Sequence, residues 1–172
     1  MKGLILAFLL WLPGAALAVA GPFGTQMGDA PEKYPGLARV PDNLFSTESV
    51  PRPHSRLDSY RLGFYQGGLD RVVAFTEYER DAEGRKAAPL FGSLRRDLTE
   101  KYGKPARSGG NMVGSLWTRG MVVWEGDLPD DLARIILALH SGDGVKSSVS
   151  LIYIYRNLPP LEEQERLDRE TL

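Results

Sequence analysis

The sequence contains no cysteine among its 172 residues, and its charges nearly cancel, with a formal net charge of -1. The absence of cysteine excludes disulfide frameworks, thiolate zinc sites, cysteine nucleophiles and lipid attachment through an N-terminal cysteine. The balanced charge argues against nucleic-acid binding, because such domains normally carry a basic excess or a basic face. The remaining composition, 42% hydrophobic and 25% charged, is typical of a folded globular domain.

The first twenty residues have the order of a secretory signal peptide. Lys2 supplies a positive start, residues 4–12 form an apolar run, and small residues follow the break at Pro13. The A-x-A pattern ends at Ala18 and again at Ala20, and we expect cleavage after Ala20. The alternative is a retained anchor, but the apolar run has about half of the ~20 residues needed to span a bilayer. We therefore expect a periplasmic or secreted mature chain without a transmembrane segment.

Proline and glycine are concentrated in residues 21–56, where they make long helices improbable. This segment is predicted to be an extended lead-in with one short strand near residues 44–49. A single domain is predicted over residues 57–158, and it is followed by a charged tail with helical propensity at residues 159–172.

The domain should start with a hairpin and a helix. Apolar and polar residues alternate over 60–65, a glycine turn follows, and a second strand is predicted over 69–76. Apolar residues at three- and four-residue spacing predict an amphipathic helix over 89–102, which Gly103 and Pro105 end.

The rest of the domain should be mainly β. A short strand is predicted at 115–118, and residues 121–124 either extend it or form a separate strand. Residues 132–140 fit a buried strand or a short helix, and we favour the strand. Residues 149–156 are apolar on both faces, which predicts a central strand. The fold class expected is α+β: an antiparallel sheet of about four to six strands, the 89–102 helix and a helix within 159–172.

Two histidines are the candidates for acid–base chemistry. His54 is followed by Ser55 and Asp58, but neighbours in an extended segment point to opposite sides, which favours a loop histidine over a catalytic triad. His140 ends a predicted strand before the turn at 142–144, beside Ser141 and Asp143, and a structural role is favoured there as well. No residue is assigned a catalytic role.

Metal and phosphate sites are weakly indicated. Acidic residues cluster at 77–83 and at 125–131, but neither cluster has the spacing of a calcium-binding loop. Residues 142–147 resemble a phosphate-binding loop. That motif requires glycine directly before the lysine, however, and here Val145 precedes Lys146. We therefore predict no metal and no cofactor.

Two surface features are candidates for partner binding. One is a basic helix face that could bind a protein or anionic lipid, comprising Arg95, Arg96, Lys101, Lys104 and Arg107. The other is a set of aromatic residues in the predicted strands, comprising Trp117, Trp124, Tyr153 and Tyr155. For these two sets, a solvated helix face and a packed core are the favoured explanations.

Three motifs carry a family resemblance: F-G-T-Q-M-G at 23–28, G-L-D-R-V at 68–72 and Y-G-K-P at 102–105. With the signal peptide, they resemble a group of small exported bacterial proteins of unassigned function. More distantly, the chain is similar to outer-membrane assembly lipoproteins of the BamE/OmlA type and to β-lactamase-inhibitor-like domains, which implies an α+β fold. It departs from the lipoproteins in lacking the lipid-carrying cysteine and in having prolines where a helix is usual. The resemblance implies no catalytic residue.

The sequence thus predicts an exported, non-enzymatic periplasmic binding module with an envelope protein as its partner and no nucleic acid. The alternative is an envelope hydrolase or carbohydrate-active protein that uses His54 with a carboxylate such as Asp58. A third hypothesis is a calcium-stabilised module. The oligomeric state is left open.

Overall fold

The structure, a computed structural model, describes residues 21–113, 116–141 and 145–156, with the backbone alone for 110–113 and 116–119. Within these residues the chain forms one antiparallel sheet of eight strands and one α-helix, α1. In chain order the elements are β1 Ala38–Val40, β2 Leu44–Thr47, β3 Ser59–Tyr65, β4 Gly68–Tyr78, α1 Ala87–Tyr102, β5 Arg107–Val113, β6 Leu116–Glu125, β7 Leu132–Ser141 and β8 Ser147–Tyr155.

The sheet consists of two four-stranded meanders joined edge to edge. Its strand order is β1-β2-β3-β4-β8-β7-β6-β5. Strands β1 to β4 follow one another, α1 leads to the far edge, and β5 to β8 return until β8 pairs with β4. Every pairing is antiparallel, and the register places Val73, Ile152 and Ile136 side by side across the centre.

One face of the sheet, here called the covered face, carries the core. Leu62, Val72, Tyr153, Ile135 and Trp124 lie in one row across it, and none is more than 6% exposed. The apolar stripe of α1 contributes to the same core and comprises Leu90, Leu94 and Leu98. The helix ends where Gly103 adopts a φ of +80°, a conformation that favours glycine.

The proline-rich lead-in also packs on the covered face. The Phe23 ring makes edge contacts with Tyr60 and Tyr153, at centroid distances of 5.3 and 5.6 Å. Thr25 is fully buried, and its hydroxyl lies 3.0 Å from that of Tyr155. The lead-in is therefore part of the core and not a loose extension.

The predicted fold class is wrong. The chain is mostly β, with eight strands where α+β and four to six strands were expected. One additional strand, β1, comes from the lead-in and pairs with β2, which corresponds to the strand predicted near residues 44–49. Another, β5, forms in a glycine-rich stretch that pairs with β6. The helix predicted within 159–172 and the signal peptide at 1–20 lie outside the described residues.

Several individual elements are confirmed. The hairpin is β3–β4, the helix is α1, residues 132–140 form a strand, and β8 is central in the sheet. Residues 121–124 continue the strand that starts at Leu116, so the separate-strand alternative is wrong. In the described part of the chain, no helix is long and apolar enough to cross a membrane.

Candidate functional site

The second face of the sheet, here called the open face, is half-exposed and apolar in its middle. Along β8 the odd-numbered residues are buried on the covered face, whereas the even-numbered residues are half-exposed. The apolar centre of the open face comprises Val73, Phe75, Ile136, Ile152 and Ile154, all of them half-exposed. Since a solvated sheet face normally alternates to polar residues, this apolar centre is unusual.

Arginines border the apolar centre towards one end of the strands. Arg61 pairs with Val73 across β3 and β4, and its guanidinium lies 4.7 Å from the centroid of the Phe75 ring. Arg71 and Arg134 are the two cross-strand neighbours of Ile154, so they flank this residue on either side. The open face therefore combines apolar area with three arginines, of which Arg134 lies at ion-pair distance from Glu125.

A β-bulge shapes this end of the open face. The β3–β4 register shifts between Gly63 and Phe64, and Asp70 and Arg71 lie opposite this shift. A methyl group at Gly63 would lie 2.8 Å from Asp70 Oδ1 and 3.3 Å from Arg71 Nε. Glycine at this position thus provides the space that the two charged side chains occupy.

Asp70 is the least expected residue of the bulge, because it is only 2% exposed and its Oδ1 has no hydrogen-bond partner in the described part of the chain. Burial raises the pKa of Asp70, and the neighbouring charge of Arg71 partly offsets this effect. Buried acids with few partners are costly and occur preferentially at functional sites.

His140 and Ser150 lie towards the opposite end of the open face. His140 Nε2 is 2.9 Å from Ser150 Oγ, and burial lowers the pKa of His140. Its Nδ1 is buried and has no partner among the described residues. A nucleophile–base pair needs a third group that orients the base, and within the described ranges no such group contacts His140 Nδ1. The sequence did not identify this pair, because it bridges two strands.

The structure does not bring His54 and Asp58 together as an acid–base pair. His54 Nδ1 accepts the backbone N–H of Arg56, at 3.1 Å. The two oxygens of Asp58 accept hydrogen bonds from the hydroxyl groups of Ser59 and Thr76. Burial and the nearby Arg56 charge lower the pKa of His54. Both residues thus have structural partners.

The first acidic cluster is divided among separate partners. Lys146 forms ion pairs with Glu77 and Glu79. Asp81 Oδ2 instead accepts hydrogen bonds from the hydroxyl of Ser147 and from two backbone N–H groups at the start of α1. This carboxylate therefore stabilises the helix N-terminus and ties it to β8.

The second acidic cluster is likewise paired with arginines. Glu125 lies within ion-pair distance of Arg107 and Arg134, and Asp127 lies close to Arg156. Within the described ranges, no three or more histidine, aspartate or glutamate side chains form a group suited to a metal ion.

The two features predicted to bind a partner, the basic helix face and the aromatic residues, lie in different environments. Arg95 and Arg96 line a shallow groove of about 500 Å³ between α1 and Pro105. Trp124 is 1% exposed and donates its indole N–H to the carbonyl of Gly103, at 2.9 Å. Tyr153 and Tyr155 are also buried, so these three aromatics belong to the core. The side chain of Trp117 lies outside the described residues.

Comparison of the chain with protein-family models, with curated proteins and with solved structures finds no match. The resemblance to exported envelope proteins therefore stays a prediction.

Proposed function

We propose that the mature chain is an exported, non-enzymatic module of the cell envelope that binds a protein partner through the open face of its sheet. The partner surface proposed is apolar with carboxylates beside it. The single observation that carries this proposal is the half-exposed apolar centre bordered by Arg61, Arg71 and Arg134.

The apolar centre supports a macromolecular partner. Residues on adjacent strands present a continuous, gently shaped surface, which fits another protein surface better than it fits a small molecule that needs a concave site. Burying Ile152, Ile136 and Val73 against a partner would remove apolar area from water, which is the main favourable contribution to association. The bordering arginines would then select for acidic residues on the partner.

Site-specific photo-crosslinking in the intact envelope of the source cell tests this proposal. A photoreactive amino acid replaces Ile152 on the open face, and in a matched control it replaces Arg85, which is exposed in a loop. We expect the Ile152 probe, and not the Arg85 probe, to form one dominant adduct. The cross-linked peptide in the partner should contain apolar residues next to aspartate or glutamate.

Three results would contradict the proposal: no adduct at Ile152, equal adducts at both positions, or adducts confined to this chain. The last result includes cross-links to a second copy and to residues 157–172. A second probe at Arg95 tests the basic helix face, and a dominant adduct there alone would assign binding to α1. Melting temperatures of the variants establish that each remains folded.

A further inference from the structure

The groove on α1 lies on the side of the helix that faces away from the core. Leu90, Leu94 and Leu98 pack inward, whereas the groove runs along the opposite side of the helix to Pro105. Gly92 lines it, and a methyl group added there would have no atom of the described residues within 4 Å. Glycine inside a helix is destabilising relative to alanine. Since neither close packing nor a positive φ requires this glycine, the open space that it leaves is a distinct feature of α1.

The groove has an excess of positive charge. Arg95 and Arg96 line it, and Lys104 lies directly before Pro105 at its far end. All three side chains are exposed, and none has an ion-pair partner in the part of the chain that the structure describes. Glu100 is the acidic side chain of the lining. An anionic segment would therefore complement this side of α1.

The described part of the chain ends near the C-terminal end of α1. Arg156 follows β8, and it donates hydrogen bonds from its backbone N–H to the carbonyl of Asp131 and from its side chain to that of Leu132. Tyr102, the last residue of α1, lies close to Tyr153 of β8, since burial and the nearby Tyr102 hydroxyl both raise the pKa of Tyr153. Residues 157–172, here called the C-terminal segment, therefore begin near the end of the groove.

The C-terminal segment has the charge and the length to cover the groove. It contains two arginines and five acidic residues, which are Glu162, Glu163, Glu165, Asp168 and Glu170. The five residues before Glu162 would span about 17 Å when extended. Because a helix is roughly 10 Å across, this length is sufficient to bring the acidic residues from the end of β8 to the outer side of α1.

We propose that the C-terminal segment binds back onto the outer side of α1, with its acidic residues beside Arg95, Arg96 and Lys104. Exposed ion pairs are weak individually, but a short connection gives the segment a high effective concentration at the groove. The basic side of α1 is then occupied within the molecule and closed to an anionic lipid or an acidic partner. The open face lies on the other side of the sheet and stays accessible, so this inference is independent of the proposed docking function.

A spin label on the C-terminal segment of the mature chain tests the inference. Gln164→Cys gives a unique attachment point without removing a charge, because the sequence contains no cysteine. Paramagnetic broadening should cause loss of the backbone amide NMR signals of Gly92 and Thr99, and it should leave that of Ile152 unchanged. The signals should recover in about 1 M salt, where the screening length is about 3 Å. Spin-labelled chain mixed with isotope-labelled chain should show no broadening, which would assign the contact to one molecule.

Charge and shape can be varied separately. Arg95→Glu combined with Arg96→Glu should abolish the broadening, because like charges then face the acidic residues. Arg80→Glu combined with Arg85→Glu is the matched control, since it makes the same charge change at exposed positions in the loop before α1 and should keep the broadening. Gly92→Gln fills the groove without changing its charge and should reduce the broadening. Melting curves establish that each variant is folded.

The opposing results are distinguishable. Absence of broadening on α1, or broadening that survives the reversal of Arg95 and Arg96, would overturn this inference alone. Broadening in the mixed sample would assign the outer side of α1 to a second copy of the chain and would overturn it as well. Broadening at Ile152 in place of Gly92 would place the segment on the open face, which would overturn both the inference and the proposed docking function.

Discussion

A buried pair of hydroxyl groups fixes the lead-in to the sheet, and its contribution to stability can be predicted. Thr25 and Tyr155 are both fully buried, and their oxygens lie 3.0 Å apart. Thr25 donates its only hydroxyl hydrogen to the carbonyl of Pro22, at 2.7 Å, so Tyr155 must donate to Thr25. Burial raises the pKa of Tyr155 to about 12, which keeps this donor protonated at neutral pH.

Removing each partner should have a different cost. Tyr155→Phe removes one hydrogen bond and should lower the free energy of unfolding by about 1 kcal/mol. Thr25→Val should cost more, about 2–3 kcal/mol, because it removes two hydrogen bonds and leaves the Tyr155 hydroxyl buried without a partner. The Pro22 carbonyl keeps the backbone N–H of residue 25 as its donor. The double variant Thr25→Val/Tyr155→Phe has no tyrosine hydroxyl at position 155 to be left unpaired. Its loss of unfolding free energy should therefore be smaller than the sum of the two single losses, by about 1 kcal/mol.

Urea unfolding of the mature chain measures these differences as shifts in the transition midpoint at constant slope. For a domain of this size, the loss in Tyr155→Phe should appear as a decrease of about 2–4 °C in melting temperature. Tyr65→Phe is the matched control, because the Tyr65 hydroxyl has an exposed partner and should contribute little. Additive effects in the double variant, or a Tyr155→Phe midpoint equal to that of the control, would refute the reasoning.

Three further predictions concern the bulge, acid stability and the end of the helix. Gly63→Ala should lower the free energy of unfolding by about 1–3 kcal/mol in urea, because the new methyl group would contact Asp70 and Arg71 at the bulge. Gly109→Ala should be neutral, because among the described residues no atom lies within 4 Å of the new methyl group. Acid titration followed by circular dichroism should show stability falling below pH ~4, since hydrogen bonds outweigh burial and lower the pKa of Asp29 and of Asp81. Trp124→Phe should cost about 1 kcal/mol or more in urea, because it removes the indole N–H that donates to the Gly103 carbonyl.

Each of these predictions has an opposing outcome. A lowered pKa in the folded state means that the two carboxylates stabilise the protein above their ordinary pKa and that this contribution is lost as the pH falls. Stability that is constant between pH 5 and 3 would contradict it. Equal stability of the two glycine variants would contradict the close contact at the bulge, and an unchanged urea midpoint in the tryptophan variant would contradict the indole hydrogen bond.

Elements with a local cause were predictable from the sequence. The β3–β4 hairpin turns at Gly67, where φ is +81°, and the apolar spacing of α1 together with its terminal glycine gave the helix. Both depend on residues that are close in the chain. The assignment of residues 132–140 to a strand was confirmed for the same reason, since β-branched residues and a neighbouring strand favoured it.

The first lead-in strand, β1, was missed because tertiary pairing, and not local propensity, holds it in place. Its backbone partner is β2, the strand predicted near residues 44–49, and β2 in turn pairs with β3. A signal was nevertheless available at the β1–β2 turn. Asp42 and Asn43 both adopt positive φ, and aspartate and asparagine tolerate this conformation better than most residues. The pair Asp42-Asn43 between two short alternating segments could have predicted a hairpin.

The candidate site required the register of the sheet. Apolar residues on both faces of β8 predicted a central strand but could not assign a covered and an open face. Arg71 and Arg134 are 63 positions apart, and only their common neighbour Ile154 places them in one row. The same limit applies to His140 and Ser150, which meet because their strands are adjacent. Spacing along the chain carries no information about such pairs.

The open face is also asymmetric along β8, and this asymmetry bears on where a partner would bind. Ser148 and Ser150 occupy its first half, whereas Ile152 and Ile154 occupy the second, next to the arginines. Isoleucine side chains in contact with water are unfavourably hydrated, so a sheet face that only contacts water normally carries polar residues at such half-buried positions. The apolar half lies at the same end of the face as Arg71 and Arg134, so we expect the proposed partner to bind there. The serine half would then remain in contact with water when the partner is bound.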